Sequence, residues 1–239
     1  RQILTAYRQS GNPARYLAEL KDVLTNAGVR YHLKDAVTRW LSTVDEPSEG
    51  ELDVVLSLDK PEERMPSLVR LGIYRQVNWF PVLQRRGHLG AWLRSGSEDR
   101  RRDALAVLRN AAASFPADVA DILRDWWSED LDRGKELLQW FTWLGEIGPS
   151  PELLALNLDV IQSKPPGLFD NRRQFDRLSL ASRIKNDPAA AGEVLRVWFE
   201  TWFEVFPDDH PFKRHQQNDA DSYWLNELRK KSPTAFLYA

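Results

Sequence analysis

Cysteine is absent from the 239 residues. Disulfides and thiolate metal sites are therefore excluded, and the absence points to a cytoplasmic setting. No apolar run approaches the ~18 residues that a membrane-spanning helix needs. The pattern of a secretory signal peptide is missing too. β-Branched runs with period 2 are scarce, so no strand is expected. Methionine occurs once, and not at the start. The chain opens at Arg1, and Arg1 to Gln9 read as the tail of a helix already under way, as expected for a piece of a larger protein. Neither sign of charge dominates: 33 Lys and Arg stand against 35 Asp and Glu, a formal net charge of −2. That balance does not suggest a surface built mainly for a polyanion.

What is present is amphipathic helix. The clearest stretch runs from Asn78 to Trp127. Asn78-Trp79-Phe80-Pro81-Val82-Leu83 opens a short helix that stops at Gly87, and residues 88–93 add about two more turns before Ser95-Gly96. Ser97 is a good N-cap, and Glu98 and Asp99 suit the positive end of the helix dipole. Ala104, Leu105, Val107, Leu108, Ala111 and Ala112 follow as one apolar face. Ser114-Phe115-Pro116 interrupts, with proline at a first helical position where no donor is lost. Val119, Ile122, Leu123, Trp126 and Trp127 then recur at i, i+3, i+4, i+7 and i+8. Two such helices cannot bury their stripes alone and must stack on neighbours, which is how a solenoid is made.

The flanks repeat the theme. Asn12-Pro13 opens a helix carrying Tyr16, Leu17, Leu20, Val23 and Leu24, ended by Gly28. Tyr31 to Val44 is expected to turn Leu33, Ala36, Val37, Trp40 and Leu41 inward, and Asp45-Glu46-Pro47 breaks it. Ser48-Glu49-Gly50-Glu51 is a capping box. Pro61 and Pro66 precede a segment to Tyr74. Beyond Trp127, helices are expected to Leu144, from Ser150-Pro151, from Asn171 to Ile184, from Asp187-Pro188 to Pro207, and over about Ala220 to Lys231. Lys164-Pro165-Pro166-Gly167 is the strongest break and a possible internal boundary, near 164–170. The expected fold is all-α: one domain over 1–239, an α-solenoid of HEAT-like antiparallel helix pairs with irregular repeats of roughly 35–45 residues.

Candidate sites are few. His210 and His215, beside Asp208 and Asp209, have metal-ligand chemistry, but their spacing matches no helical ligand pair and Pro211, Lys213 and Arg214 intrude. His32 and His88 sit at helix starts with no nucleophile partner. No P-loop, G-x-S-x-G turn, EF-hand or His-Glu-x-x-His occurs, so neither catalytic residues nor a cofactor or metal are expected. The basic clusters Arg85-Arg86, Arg100-Arg101-Arg102, Arg172-Arg173 and Lys230-Lys231 would track phosphates if gathered on one face. Each is flanked by acids, which favours pairs along a wet helix face. Trp126 and Trp127 are adjacent and cannot both point straight into one interface, so one suits a surface or inter-repeat role. Trp126, Trp127, Trp140, Trp143, Arg100, Arg101, Arg172 and Arg173 are the candidate interaction residues.

Tyr31-His32-Leu33-Lys34-Asp35-Ala36-Val37 with Trp40-Leu41, then Glu46-Pro47 and Glu51, resembles a segment of large bacterial signalling ATPases of the STAND class. Asn78-Trp79-Phe80-Pro81-Val82-Leu83, Arg86-Gly87-His88-Leu89 with Trp92-Leu93, Arg102-Asp103-Ala104-Leu105 and Phe115-Pro116 resemble the same proteins. The likeness covers about Tyr16 to Trp127. It implies a helical-repeat region that follows an NTPase core lying outside this chain and serves as sensor or scaffold, in several such proteins for a foreign protein that triggers defence. The expected function is therefore non-catalytic binding of a protein partner or of other domains of the parent chain. A nucleic-acid-binding helical scaffold is the first alternative, and an enzyme with a cryptic site the second.

Overall fold

The computed structural model describes residues 2–58, 76–130, 133, 150–165, 187–207, 229–230 and 233. All regular structure among them is helical, and the helices pack irregularly. The chain divides into two compact units, Arg1–Ala111 and Ala112–Ala239. The boundary falls in the joint of the hairpin expected between Ser97 and Trp127, so the two helices of that pair belong to different units.

Unit 1 begins with α1 (Gln2–Arg8) and α2 (Pro13–Thr25). Pro13 takes the first helical position, and the Asn12 side chain accepts from Arg15 N at 3.0 Å. This satisfies one of the donors that every helix start leaves open. α2 buries Tyr16, Leu20 and Leu24, and packs on α1, α3 (Tyr31–Leu41) and α4 (Glu49–Ser57). The approach to α4 is close at Gly50, where a Cβ would overlap Leu17 Cδ1. The capping box is present in full: Ser48 Oγ accepts from Glu51 N at 3.2 Å, and the Glu51 carboxylate accepts from Ser48 N at 2.7 Å.

A 3-10 turn (Val77–Trp79) leads into α5 (Phe80–Arg85). Trp79, fully buried, donates from Nε1 to Leu41 O at 3.2 Å, and Asn78 Nδ2 donates to Val44 O. These bonds satisfy carbonyls at and just beyond the C-terminus of α3, where the helix itself supplies no donor. Gly87 adopts φ 69°, a left-handed conformation natural to glycine, and joins α5 to α6 (His88–Leu93). α7 (Glu98–Ala111) packs on α5 and α6, burying Ala104, Val107, Leu108 and Ala111 as the stripe requires. Burying one Leu, Val or Phe side chain contributes roughly 1.5–3 kcal/mol, which is why these short helices hold together only as a set.

Unit 2 contains α8 (Pro116–Ser128), α9 (Pro151–Gln162) and α10 (Pro188–Val205). Each carries proline in its first turn, and Ser150 and Asp187 cap α9 and α10 through Leu153 N (3.3 Å) and Ala190 N (3.1 Å). α9 packs on both α8 and α10. Trp198 and Trp202 fill the α10 side, their ring centroids 5.2 Å apart. Arg124 reaches Asp159 at 3.5 Å, and Lys164, at φ 54°, reaches Glu204 at 2.7 Å.

One expected face differs. Leu33 and Ala36 were expected to point inward, yet both are exposed, Leu33 by 50%. The stripe Leu33–Val37–Trp40–Leu41 is covered at its last three positions only. The link from α2 supplies little cover to the first turn, because Ala27, Gly28 and Arg30 are themselves exposed.

Candidate functional site

The densest polar arrangement in unit 1 is centred on Glu51, whose side chain is fully buried. A carboxylate out of water needs donors, since an uncompensated buried charge is costly. Glu51 has five. Arg8 grips it with both Nε (2.8 Å to Oε1) and Nη2 (3.1 Å to Oε2). Tyr16 Oη donates to Oε1 at 2.6 Å, and Ser48 donates to Oε2 from N at 2.7 Å and from Oγ at 2.9 Å. Burial alone pushes this carboxyl up; the bonds from Arg8, Ser48 and Tyr16 outweigh it, and the net direction is down. Burial, and then the hydrogen bond to Glu51, pushes the Tyr16 phenol far above its ordinary range. Arg8 also donates to Glu46 O. The cluster thus fastens α1 and α2 to the start of α4.

This fastening leaves space beside it. A cavity of about 400 Å³ is lined by Thr5, Arg8 and Gln9 on one side and by Trp40, Thr43, Val44, Asp45 and Glu46 on the other. Trp40 Nε1 donates to Thr5 Oγ1 at 3.3 Å across it. Asp45 and Glu46 are exposed, and neither carboxylate has an ion pair among the described residues. Arg8, itself part of the lining, is also close enough to attract the Glu46 carboxylate.

Of the candidate residues read from sequence, the described ones (Trp126, Trp127, Arg100 and Arg101) do not line that cavity. Trp126 and Trp127 are both buried, 1% and 7% exposed, so neither ring of the adjacent pair lies open on the surface. Trp126 is covered in part because the chain returns: the Arg133 guanidinium sits 5.0 Å over its ring, and Arg133 Nη1 donates to Trp126 O at 2.7 Å. Arg100 is exposed, while Arg101 turns back to donate to Ser95 O at 2.8 Å. Arg102 pairs with Glu98 on the same helix, and Arg86 bridges Glu49 (3.0 Å) and Asp53 (3.2 Å) on α4. Arg102–Glu98 is the same-helix pair expected of a wet face, whereas Arg86 pairs across to another helix. Trp140, Trp143, Arg172, Arg173, His210 and His215 lie outside the described residues.

His32 is exposed beside Tyr31, also exposed, ring centroids 6.2 Å apart. His88 stacks on Trp92 at 5.9 Å, and its Nε2 is buried with no hydrogen-bond partner. Burial, and then the Arg86 charge, holds this imidazole below its ordinary value, with Asp53 opposing. Among the described residues, no group of three or more His, Asp or Glu is arranged to hold a metal ion, and no helix is long and apolar enough to cross a membrane.

Arg8 and Tyr16 were not singled out from sequence as functional. The available signal was Glu51 itself: it precedes Val55 by one helical turn and so lies on the apolar stripe of α4. Comparison with known protein-family models, curated proteins and solved structures finds no match.

Proposed function

We propose that this chain is a non-catalytic helical scaffold or sensor region that binds another protein or other domains of its parent chain. The observation that carries the reading is the first turn of α3, where Tyr31 is 72% exposed and Leu33 50% exposed, next to exposed Arg30 and His32. Large side chains left open beside the Arg30 cation suit a macromolecular contact better than a small-molecule one. Further along the same helix Asp35 pairs with Arg39, at 2.7 Å. HEAT-like stacking of the helix pairs, and a place behind a STAND-class NTPase core in a cytoplasmic defence or signalling protein, complete the proposal. Both rest on the resemblance of the segments between Tyr16 and Trp127. The test is photo-crosslinking in cells that produce the full-length protein, with the reactive group at position 31 or 33 and a control at exposed Ala18. Protein adducts from 31 and 33 but not from 18 support the reading. Adducts to nucleic acid alone, or equal adducts from all three positions, refute it.

A further inference from the structure

We propose that α1 is a hinged strap, which leaves α2, α3 and α4 as one unit when the grip of Arg8 on Glu51 opens, and so bares Tyr16, Trp40 and Glu51. Its seven residues are held differently from the helices beneath. α2 buries Tyr16, Leu20 and Leu24, and α4 buries Leu52, Val54 and Val55. In α1, by contrast, Leu4, Tyr7 and Arg8 are half-buried, Thr5 and Ala6 are exposed, and no described side chain is fully buried. α1 attaches by polar and edge contacts instead. Arg8 forks onto the Glu51 carboxylate and donates to Glu46 O, and Trp40 Nε1 donates to Thr5 Oγ1 at 3.3 Å. The Tyr7 ring meets that of Tyr16 edge-on, centroids 6.1 Å apart. The fit is incomplete: the cavity of about 400 Å³ lies beside α1, and Tyr7 Oη is out of water with no hydrogen-bond partner, although Glu19 and Arg15 lie near. Few buried apolar contacts and an unmet hydroxyl mark a segment that opens before the rest of the fold does.

The joint suits such a motion. Residues 9–15 are all exposed, and Gly11 sits at φ 84°, in the left-handed region that glycine enters without strain. Hinges take up large backbone changes at a few residues of this kind. Release does not strand the carboxylate. Ser48 N, Ser48 Oγ and Tyr16 Oη also donate to it, and they belong to the segments that stay. The Arg8 side chain is already 29% exposed and turns to water as it leaves. The open form presents surface that the closed form hides, so a partner that prefers it shifts the balance toward release. The strap itself does not depend on what that partner is.

The experiment is native-state hydrogen exchange of the whole 239-residue chain, followed by NMR over a series of low urea concentrations. It compares the α1 amides, Gln9 N–H on Thr5 O among them, with those of Leu20 and Leu24 in α2. The α1 amides are expected to be protected at least about tenfold less and to respond weakly to urea, because undocking one short helix exposes little surface. Arg8→Met is expected to speed α1 exchange at least about tenfold. The Trp40 indole N–H, which is bonded to α1, is expected to speed up with it. Arg8→Lys keeps the charge and loses the fork. It is expected to fall between wild type and Arg8→Met, which keeps the ranking readable even where the methionine variant is too unstable to study. Equal protection and equal urea response in α1 and α2 overturn the proposal, since α1 then opens only with the rest. Fast α1 exchange that neither variant changes, or a Trp40 indole that does not follow α1, reduces the motion to fraying and overturns it too. Crosslinking from positions 31 and 33 is read on the first turn of α3 and not on α1, so the two ideas fail separately.

Discussion

Replacing Arg8 by methionine keeps most of the side chain's length and removes the two N–H donors that grip Glu51. Breaking a buried pair from one side costs ~3–5 kcal/mol when the remaining charge has nothing left to hold it. Here Tyr16 and Ser48 still donate to the carboxylate, and the Arg8 side chain is 29% exposed, so water can enter the vacated place. Both effects reduce the penalty, and about 2–3 kcal/mol is expected to remain. Glu51→Met leaves a guanidinium that can turn toward solvent but takes the acceptor from buried Tyr16, a loss of similar size. In the double variant neither charge is stranded, so its destabilisation is expected to fall short of the sum by about 1.5 kcal/mol or more. Urea unfolding at neutral pH, followed by circular dichroism, measures the cycle. A change under ~0.5 kcal/mol for Arg8→Met, or strict additivity, would refute the account, because an exposed pair behaves that way. The same network sets an acid limit. The Glu51 carboxyl is held below its ordinary 4.5 in the folded chain, so below that pH the unfolded chain binds more protons. The stabilisation is complete above 4.5, is lost as pH falls through the folded value, and is absent from Glu51→Gln.

His88 acts in the same sense at milder pH. Its folded value lies below the ordinary 6.5, so stability is expected to fall as pH drops from 6.5, and His88→Phe to remove that slope in melting temperature against pH. Leu108→Ala is expected to cost ~2–5 kcal/mol and Trp126→Ala ~3–5 kcal/mol, because both side chains are buried, Leu108 fully and Trp126 at 1% exposed. Chemical denaturation that leaves either midpoint unchanged would contradict the packing described. The purified chain is expected to hydrolyse no ATP; steady phosphate release that grows with protein concentration and survives repurification would overturn the non-catalytic reading.

Local rules carried much of the architecture. Asn12, Ser48, Ser150 and Asp187 cap helices where their chemistry places them, and Gly87 turns the chain where a left-handed residue is needed. The stripes of α7 and α8 bury the residues their spacing selects, save the half-covered Leu105 and Ile122. What was not legible depends on residues far apart in sequence. The capping box identified Glu51, but its burial is set by Arg8, 43 residues away, and Tyr16, 35 away. Asp45-Glu46-Pro47 read only as a helix break, because the wall opposite it comes from α1. Leu33 obeys the helical period and is exposed all the same, since periodicity says which face is apolar and not how far a neighbour extends to cover it. Trp126 and Trp127 illustrate the converse: adjacency suggested that one of them takes a surface or inter-repeat role, both are buried, and the Arg133 guanidinium over Trp126 is cover that no spacing rule anticipates.

The most direct measurement is the affinity between the purified chain and the protein crosslinked from position 33, by calorimetry, for wild type and Leu33→Asp. Leu33 is half exposed, so the variant is expected to keep its fold while binding at least about tenfold more weakly. An unchanged dissociation constant for Leu33→Asp would mean that the open turn of α3 is not where this chain meets its partner.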